Sequence, residues 1–214
     1  MTNPKKLTGA VLRRCLEEQI MFTAPQSRYR PGTIRMDHVH KEPDQIIQVF
    51  REGQQKPTKS NLLFYQHCDM IREVIISDIA EMMDAGNLLD VRPKGWTVDT
   101  DGLYGVTVSV AFDDTPVRGW VDASMLNTSN GAKVAVKVHT TTSSKMQQYR
   151  ATKRLPKRVF QPMQMYLLYG GYVQGIIVMV ARDTGELMTY DVRPVPALQS
   201  ELDNKLRSIA AQLS

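Results

Sequence analysis

The segment at residues 119–140 constrains the fold most, because two strand-like runs are joined there by a turn. Residues 117–126 and 133–140 are rich in Val and Thr, and turn-forming Asn, Thr, Ser and Gly lie between them. This pattern predicts a β-hairpin. Since side chains alternate between the two faces of a strand, positions 135 and 137 should point the same way. Asp122, position 135 and Lys137 are therefore expected to converge on one site.

The hairpin resembles the core motif of the PD-(D/E)XK nuclease superfamily. In that motif an aspartate and a later Asp/Glu-X-Lys triplet bind Mg²⁺ and activate water; here Asp122 is followed, after twelve residues, by Ala135, Val136 and Lys137. The second acidic residue is missing, and the methyl group of Ala135 offers no oxygen ligand to a hard divalent cation. Either the chain is naturally degenerate, or an acidic residue was replaced by alanine, for example to trap a substrate complex. We favour replacement, because the neighbouring residues remain in keeping with an active site.

Two flanking segments are similar to the RecB-like exonuclease branch of this superfamily, so that the resemblance covers residues 60–192. Upstream, an apolar pattern with helical spacing contains His67, at the place of that branch's metal-binding histidine. Downstream, Gln161, Gln164 and Tyr166 match the residue types of its Gln-and-Tyr helix. The usual Gln-X-X-X-Tyr spacing is absent, because Leu168 is the fourth residue after Gln164. Which glutamine acts in the site is left open.

The resemblance implies an α/β fold with a restriction-endonuclease-like core, in which helices flank a central mixed β-sheet. We expect one nuclease domain over residues 1–214: an N-terminal helical and loop extension (1–58), a catalytic core (59–192) and a C-terminal helix (193–214). In an intact site, Asp122 and a carboxylate at 135 would hold Mg²⁺ or Mn²⁺, helped by the carbonyl of Val136 and by His67. Lys137 would orient the attacking water, and a glutamine of the downstream helix, with Tyr166, would position the phosphate or the lysine.

Periodicity along the chain agrees with this α/β order. Residues 22–43 are expected to form a loop punctuated by Pro and Gly, and a turn is predicted at 183–186. The first four predicted strands should form a meander. Helical patterns occupy residues 7–21, 44–51, 60–85, 156–169 and 196–213, and strand patterns occupy residues 96–100, 105–112, 117–126, 133–140, 175–181 and 187–192.

The basic residues are bunched along the chain, which has a formal net charge of +5. One basic cluster directly follows the hairpin, and we predict that it contacts DNA phosphates, which would make binding sensitive to salt. The alternative for this cluster is a solvated connector. A second basic cluster near the N-terminus, with Arg28 and Arg30, could bind a DNA strand or line the path by which DNA enters the site. The members of the first cluster are Lys145, Arg150, Lys153, Arg154, Lys157 and Arg158.

The composition of the chain restricts the cell compartment and the kinds of metal centre that we expect. No apolar run approaches the roughly 20 residues needed to cross a membrane, and the N-terminus lacks the apolar region of a secretory signal. Cys15 and Cys68 are too few and too far apart to predict a disulfide framework, a zinc site or a four-cysteine iron–sulfur cluster. We expect a cytoplasmic protein of a bacterium or a phage-infected cell that binds DNA and no membrane. Self-association, or a partner protein of recombination or replication, fits the same resemblance.

Three functions remain open on these grounds. The first is a Mg²⁺-dependent DNA exonuclease of recombination, repair or replication, inactivated in this chain at position 135. The second is a non-catalytic nucleic-acid-binding or assembly subunit that keeps the nuclease fold. The third is a structural or protein-interaction module in which the motif is accidental. With basic residues present and one carboxylate missing, the chain as written should bind DNA better than it cuts it.

Overall fold

The computed structural model describes residues 31–53, 58–83 and 96–214. Within these ranges helices flank a six-stranded mixed β-sheet, which confirms the predicted fold class. The predicted helix at 7–21 and the basic residues Arg28 and Arg30 lie outside the described residues. In chain order the elements are β1 (Ile34–Arg35), a 3-10 turn (Met36–His38), α1 (Pro43–Glu52), α2 (Lys59–Met83), β2 (Trp96–Phe112), β3 (Thr115–Asn127), β4 (Lys133–Thr141), α3 (Ser143–Thr152), α4 (Lys157–Gly170), β5 (Gln174–Ala181), β6 (Leu187–Val192) and α5 (Pro196–Ala210).

Three elements differ from their sequence-based expectation. The strands predicted at 96–100 and 105–112 are one strand, β2, because β3 offers it a continuous partner and the expected break becomes register shifts between Val98 and Val106. The loop predicted at 22–43 contains β1 and the 3-10 turn. The first part of the basic segment after the hairpin, with Lys145 and Arg150, is helix α3, which begins where the Thr142 side chain accepts a hydrogen bond from the backbone N–H of Lys145.

Strands β3 and β4 form the predicted hairpin and then separate. Their register runs as far as Ala123 opposite Val136. Beyond this pair, β4 stays hydrogen-bonded to β5 in a parallel arrangement. Strand β3 instead pairs with β2 on one edge and with β1 on the other. The two strands therefore diverge as a fork, and Asp122 and Lys137 are the first residues beyond the last hairpin pair. They lie at the closed end of this fork.

The sheet separates two apolar cores. One core joins α2 to Val134, Val136 and Val138 of β4, and the other joins Ala135 to α4, α5, α1 and the 3-10 turn. The alternation predicted for β4 is thus confirmed, because the three valines face α2 and Ala135 faces α4. Although α2 has 25 residues, neither it nor any other helix in the described ranges combines the length and apolarity that a membrane span requires.

Candidate functional site

Asp122 is directed into the fork because β3 changes its packing at this residue. Val121 belongs to the core on the α4 side, whereas Ala123 belongs to the core on the α2 side. The Asp122 carboxylate, only 3% exposed, accepts a hydrogen bond of 2.7 Å at Oδ2 from the N–H of Val138. Its Oδ1 lies 3.6 Å from Nζ of Lys137. The expected convergence of Asp122 and Lys137 is therefore observed.

The Lys137 ammonium is held in place by groups other than Asp122 as well. Its Nζ donates a hydrogen bond of 2.9 Å to the carbonyl oxygen of Trp120. It also lies 5.1 Å from the centroid of the Trp120 ring and 5.8 Å from that of Tyr166, within range of cation–π attraction. These contacts fix the position of the Lys137 side-chain nitrogen at the fork.

Arg72 of α2 supplies a second cation to Asp122. Its Nε lies 3.8 Å from Oδ1 of Asp122, and its Nη1 lies 3.2 Å from Oδ1 of Asp69 one helical turn earlier. A buried carboxylate is costly to desolvate unless opposite charge and hydrogen bonds compensate it. Here Arg72, Lys137 and the N–H of Val138 provide that compensation.

The residues at the fork do not fit the divalent metal that the nuclease resemblance implies. Ala135 is fully buried between Ser124 and Gly175 of the neighbouring strands and supplies no oxygen ligand. Asp122, at the closed end of the fork, already faces two cations, which would repel a divalent ion. Glu73 of α2 lines the same small cavity as Asp122 and is the second carboxylate there among the described residues. Within the described ranges, no group of three His, Cys, Asp or Glu side chains is placed to hold a metal. Val136 lies inside β4, between Ala123 and Ile176.

His67 is not brought together with Asp122. It is exposed on α2, and it is absent from the residues that line the cavities at the fork. Since each residue turns an α-helix by about 100°, Asp69 and Arg72 point towards the fork while His67 does not. The sequence identified the correct helix, but the side chains that reach the fork are Asp69 and Arg72.

Neither of the two candidate glutamines lines the cavities at the fork. Gln164 is fully buried, where its Oε1 accepts a hydrogen bond of 2.8 Å from the N–H of Val195 and its Nε2 donates one of 3.0 Å to the carbonyl of Arg193. These bonds fix the connection between β6 and α5. Gln161 is half-buried at an earlier turn of α4. A glutamine at position 164 matches the residue type of the family's helix, but its side chain here holds the connection between β6 and α5 in place.

Tyr166 does reach the fork, as a buried side chain of α4. Its hydroxyl donates a hydrogen bond of 2.5 Å to Oδ1 of Asp37 in the 3-10 turn. Burial, followed by the nearby Asp37 carboxylate, raises the pKa of Tyr166 well above its ordinary value, so the hydroxyl stays protonated. The ring needs a glycine opposite it, because a Cβ on Gly119 would lie 2.5 Å from Cε1 of Tyr166. Tyr166 therefore anchors the 3-10 turn beside Lys137.

A cleft of about 410 Å³ opens at the fork beyond Lys137, and we call it the fork cleft. One wall is α2, with Phe64, Tyr65, Asp69 and Arg72, and the other is formed by the end of β4 and the elements that follow it. The opposite wall carries three cations from three different elements: Lys145 of α3, Arg158 of α4 and Arg182 just after β5. The cleft therefore has an aromatic wall and a strongly basic wall.

Local hydrogen bonds hold the basic wall together. The N–H of Ser143, at the start of α3, donates a bond of 2.8 Å to Oδ1 of Asp183, and the N–H of Arg182 donates one of 3.0 Å to the carbonyl of Thr141. These bonds tie the first turn of α3 to the turn after β5. Lys145 and Arg182 consequently lie on one rim of the fork cleft.

His139 lies at the base of the fork cleft, on the same strand face as Lys137. Burial, and after it the positive charges of Arg158, Lys137 and Lys145, together lower the pKa of His139 to about 4. The imidazole is therefore neutral at pH 7. Within the described ranges its buried Nε2 has no hydrogen-bond partner, which leaves a polar atom at the cleft for a bound group.

The predicted basic cluster divides into two groups. Lys145 and Arg158 line the fork cleft, whereas Arg150 pairs with Glu186 at 2.6 Å. The other three members, Lys153, Arg154 and Lys157, are exposed and do not line it. Sequence reasoning missed Arg72, Arg182, Phe64 and Tyr65, although the helical spacing of residues 65, 69 and 72 was a readable signal for one face of α2.

This architecture is similar to that of solved exonuclease structures. The alkaline exonuclease LHK-Exo from Laribacter hongkongensis superposes with a TM-score of 0.51 at 11% sequence identity, covering 92% of each chain. LHK-Exo in complex with dAMP superposes with a TM-score of 0.53 at 11% identity, covering 88% of this chain and 92% of the other. The chain has the alkaline-exonuclease fold. At this identity the likeness concerns the exonuclease fold alone, and it confirms the fold that the hairpin resemblance implied. No protein-family model and no curated protein sequence matches the chain.

Proposed function

We propose that this chain binds DNA in the fork cleft and, as written, does not hydrolyse it. The observation that carries the proposal is the convergence of Lys145, Arg158, Arg182 and Arg72 on one cleft of the exonuclease fold. Side chains from four separate parts of the chain meet there, and among the described residues that line the cleft Asp69 is the one carboxylate. Phosphodiester groups are the anions that a nuclease fold is shaped to receive, and cationic side chains bind them by displacing counterions.

The absence of hydrolysis follows from the groups at Asp122. Metal-assisted phosphodiester cleavage needs a cation that polarises the phosphate and lowers the pKa of a bound water. Asp122 is already compensated by Lys137 and Arg72, and Ala135 adds no ligand. The role left to this chain's residues is to bind and orient a phosphate. The nuclease activity with Mg²⁺ or Mn²⁺ that the resemblance implies for an intact site is not part of this proposal, because Arg72 and Lys137 already compensate Asp122.

A neighbour with this fold has been solved with dAMP, and we extend nucleotide binding to this chain as part of the proposal. The DNA would approach the end of β4, where His139 offers an unpaired nitrogen and the basic wall offers charge. Tyr166 and the 3-10 turn would act indirectly, by holding Lys137 at the base of the fork.

Salt-dependent binding tests this proposal. The affinity of the wild type for a fluorescent single-stranded oligonucleotide would be measured by anisotropy over a range of salt concentrations, with EDTA present. Two double variants remove the same net charge: Lys145→Ala with Arg158→Ala, inside the cleft, and Lys153→Ala with Arg154→Ala, outside it. The cleft variant should lower the slope of log affinity against log salt by about 1.4, which is two lost phosphate contacts.

The control variant should change that slope much less than the cleft variant does. Equal effects of the two double variants would show that DNA is attracted to the surface generally, and not to the cleft. No binding of DNA by the wild type at low salt would refute the proposed function and would favour the protein-interaction alternative. Degradation of the oligonucleotide by the wild type in Mg²⁺ would refute the claim that the chain does not cut.

A further inference from the structure

We propose that Phe64 and Tyr65 form a base-stacking subsite in the fork cleft, so that the cleft takes single-stranded DNA in preference to a closed duplex. The inference rests on the proposed function, and it adds the class of substrate. Both rings stand on the α2 wall of the cleft. Inside a duplex each base is stacked between its neighbours and only the terminal pair presents a free face, whereas every base of a single strand can present one.

The two aromatic side chains are unusually accessible for residues of their size. Phe64 is 40% exposed and Tyr65 is 42% exposed, and their ring centroids lie 5.8 Å apart at an interplanar angle of 64°. Large aromatic side chains normally gain more by burial than by exposure. Two adjacent exposed rings that also line a cleft therefore provide an apolar surface on which a flat ligand can be buried.

Arg182 orients this surface. Its guanidinium carbon lies 4.7 Å from the centroid of Phe64, so that a cation covers one part of the aromatic wall. Arg182 is also the point where the aromatic wall meets the basic wall, because it lines the same cleft as Lys145 and Arg158. Arginine both stacks on planar groups and binds phosphate through a fork of donors. A nucleotide next to Arg182 would therefore meet a phosphate site on one side and a stacking site on the other.

The arrangement of the two walls matches a single strand. In single-strand-binding sites, positive charge follows the backbone while aromatic side chains stack against the bases. In the fork cleft the aromatic residues stand on α2 with Arg72 beside them, and three further cations stand on α3, α4 and the turn after β5. The cleft volume of about 410 Å³ lies near the lower end of the range of about 300–1,000 Å³ for small-ligand pockets. A unit of nucleotide size fits this space better than a duplex.

Substitution of the rings tests the subsite with a matched control on the same helix. The variants are Phe64→Ala, Tyr65→Ala and, as control, Leu63→Ala, because Leu63 is 51% exposed but does not line the cleft. Binding would be measured by anisotropy for a single-stranded oligonucleotide and for a blunt hairpin duplex. The ring variants should bind the single strand about 5- to 150-fold more weakly, the range expected for loss of one base–aromatic stack. Phe64→Trp, which keeps a stacking face, should retain most of the affinity.

The salt slope separates this inference from the proposed function. Removal of a ring should lower the affinity while leaving the slope unchanged, since no phosphate contact is lost. If the wild type binds DNA with the expected salt slope but both ring variants bind the single strand as well as the wild type, the stacking subsite is refuted and the proposed function stands. An equal loss in Leu63→Ala, or tighter binding of the blunt duplex than of the single strand, also refutes the subsite. If the wild type binds no DNA at low salt, both proposals fail.

Discussion

Helices α2 and α4 lie on opposite faces of the same hairpin, and they differ in what they contribute to it. The middle of α4 is buried, with Met163, Met165 and Tyr166 almost wholly enclosed, and its polar groups hold other parts of the chain. The first half of α2 is largely exposed and carries Phe64 and Tyr65. The difference teaches that α4 fixes the shape of the fork, whereas α2 provides a surface to bind against.

Because of this division of roles, substitutions on α4 should affect mainly stability, and substitutions on the first half of α2 should affect mainly binding. Changes in α4 should lower the free energy of unfolding, because they leave buried polar groups unpaired or open cavities. Changes in the first half of α2 should leave stability nearly unaltered and act on binding.

The largest effect is expected for Gln164→Leu. The substitution leaves the N–H of Val195 and the carbonyl of Arg193 without their partner at a buried position, which should lower the free energy of unfolding by about 2–5 kcal/mol. Urea denaturation measures it. Gln161→Leu, on the same helix but half-buried, is the control and should change stability by less than about 1 kcal/mol. Equal losses in the two variants would contradict the assignment of a structural role to Gln164.

The second effect is a dependence of stability on pH that originates at the cleft. Burial and the charges of Arg158, Lys137 and Lys145 lower the pKa of His139 to about 4 in the folded chain, whereas an unfolded chain has an ordinary histidine pKa of about 6.5. The unfolded state therefore binds more protons between these values, so that stability falls as the pH drops from about 6.5 to 4, by about 1–3 kcal/mol.

Thermal unfolding across this pH range measures the effect. In His139→Gln the decline should be shallower, because the group that takes up a proton on unfolding is gone. His38 keeps part of the decline in that variant, since burial also lowers its pKa to about 4. A decline of unchanged size in His139→Gln would show that His139 is not responsible.

The third prediction compares removal of the negative charge of Asp122 in β3 with removal of the negative charge of Asp69 in α2. Asp122→Asn removes a charge that two cations compensate, but its amide oxygen can still accept the Val138 N–H. We expect a loss of about 1–2 kcal/mol in the free energy of unfolding and stronger DNA binding, since Lys137 and Arg72 lose their counter-charge. Asp69→Asn, at the more exposed pair with Arg72, should cost less than about 1 kcal/mol. Weaker DNA binding by Asp122→Asn would contradict the account.

The smallest effect is expected for Ala135→Glu in a nuclease assay. A glutamate at this fully buried position would have to compete with Lys137 and Arg72 for space and charge at Asp122. We expect no Mg²⁺-dependent cleavage from this change alone. Cleavage that appears in Ala135→Glu and disappears when Lys137 is also replaced would instead support a nuclease site from which one carboxylate was removed.

The sequence was sufficient for the hairpin and for the meeting of Asp122 with Lys137. Strand alternation and a short turn fix which residues share a face, so a local pattern determined this part of the site. The roles of Gln164 and Tyr166 could not be obtained in that way, because their partners lie far along the chain: Arg193 and Val195 for Gln164, and Asp37 for Tyr166. A glutamine or a tyrosine on a helix is compatible with a catalytic role and with a structural role, so the residue type alone does not decide between the two.

The rotation of α2 about its own axis was a second quantity that the sequence left undetermined. His67 and Arg72 are five residues apart, which places them about 140° apart around a helix. Only the packing of Ile76 and Met83 against the sheet decides which of them faces Asp122. Because Arg72 faces it, a guanidinium provides the positive charge that a bound metal ion would have brought to the fork.

The most direct test of this account is the affinity of the wild type for single-stranded DNA measured in EDTA and in Mg²⁺ at matched ionic strength. Since Arg72, Lys137 and the basic wall supply the positive charge, and Mg²⁺ competes with them for the phosphates, the account predicts an affinity in Mg²⁺ no higher than in EDTA and an intact oligonucleotide afterwards. Binding that requires Mg²⁺, or an oligonucleotide that is shortened in Mg²⁺ and not in EDTA, would contradict it.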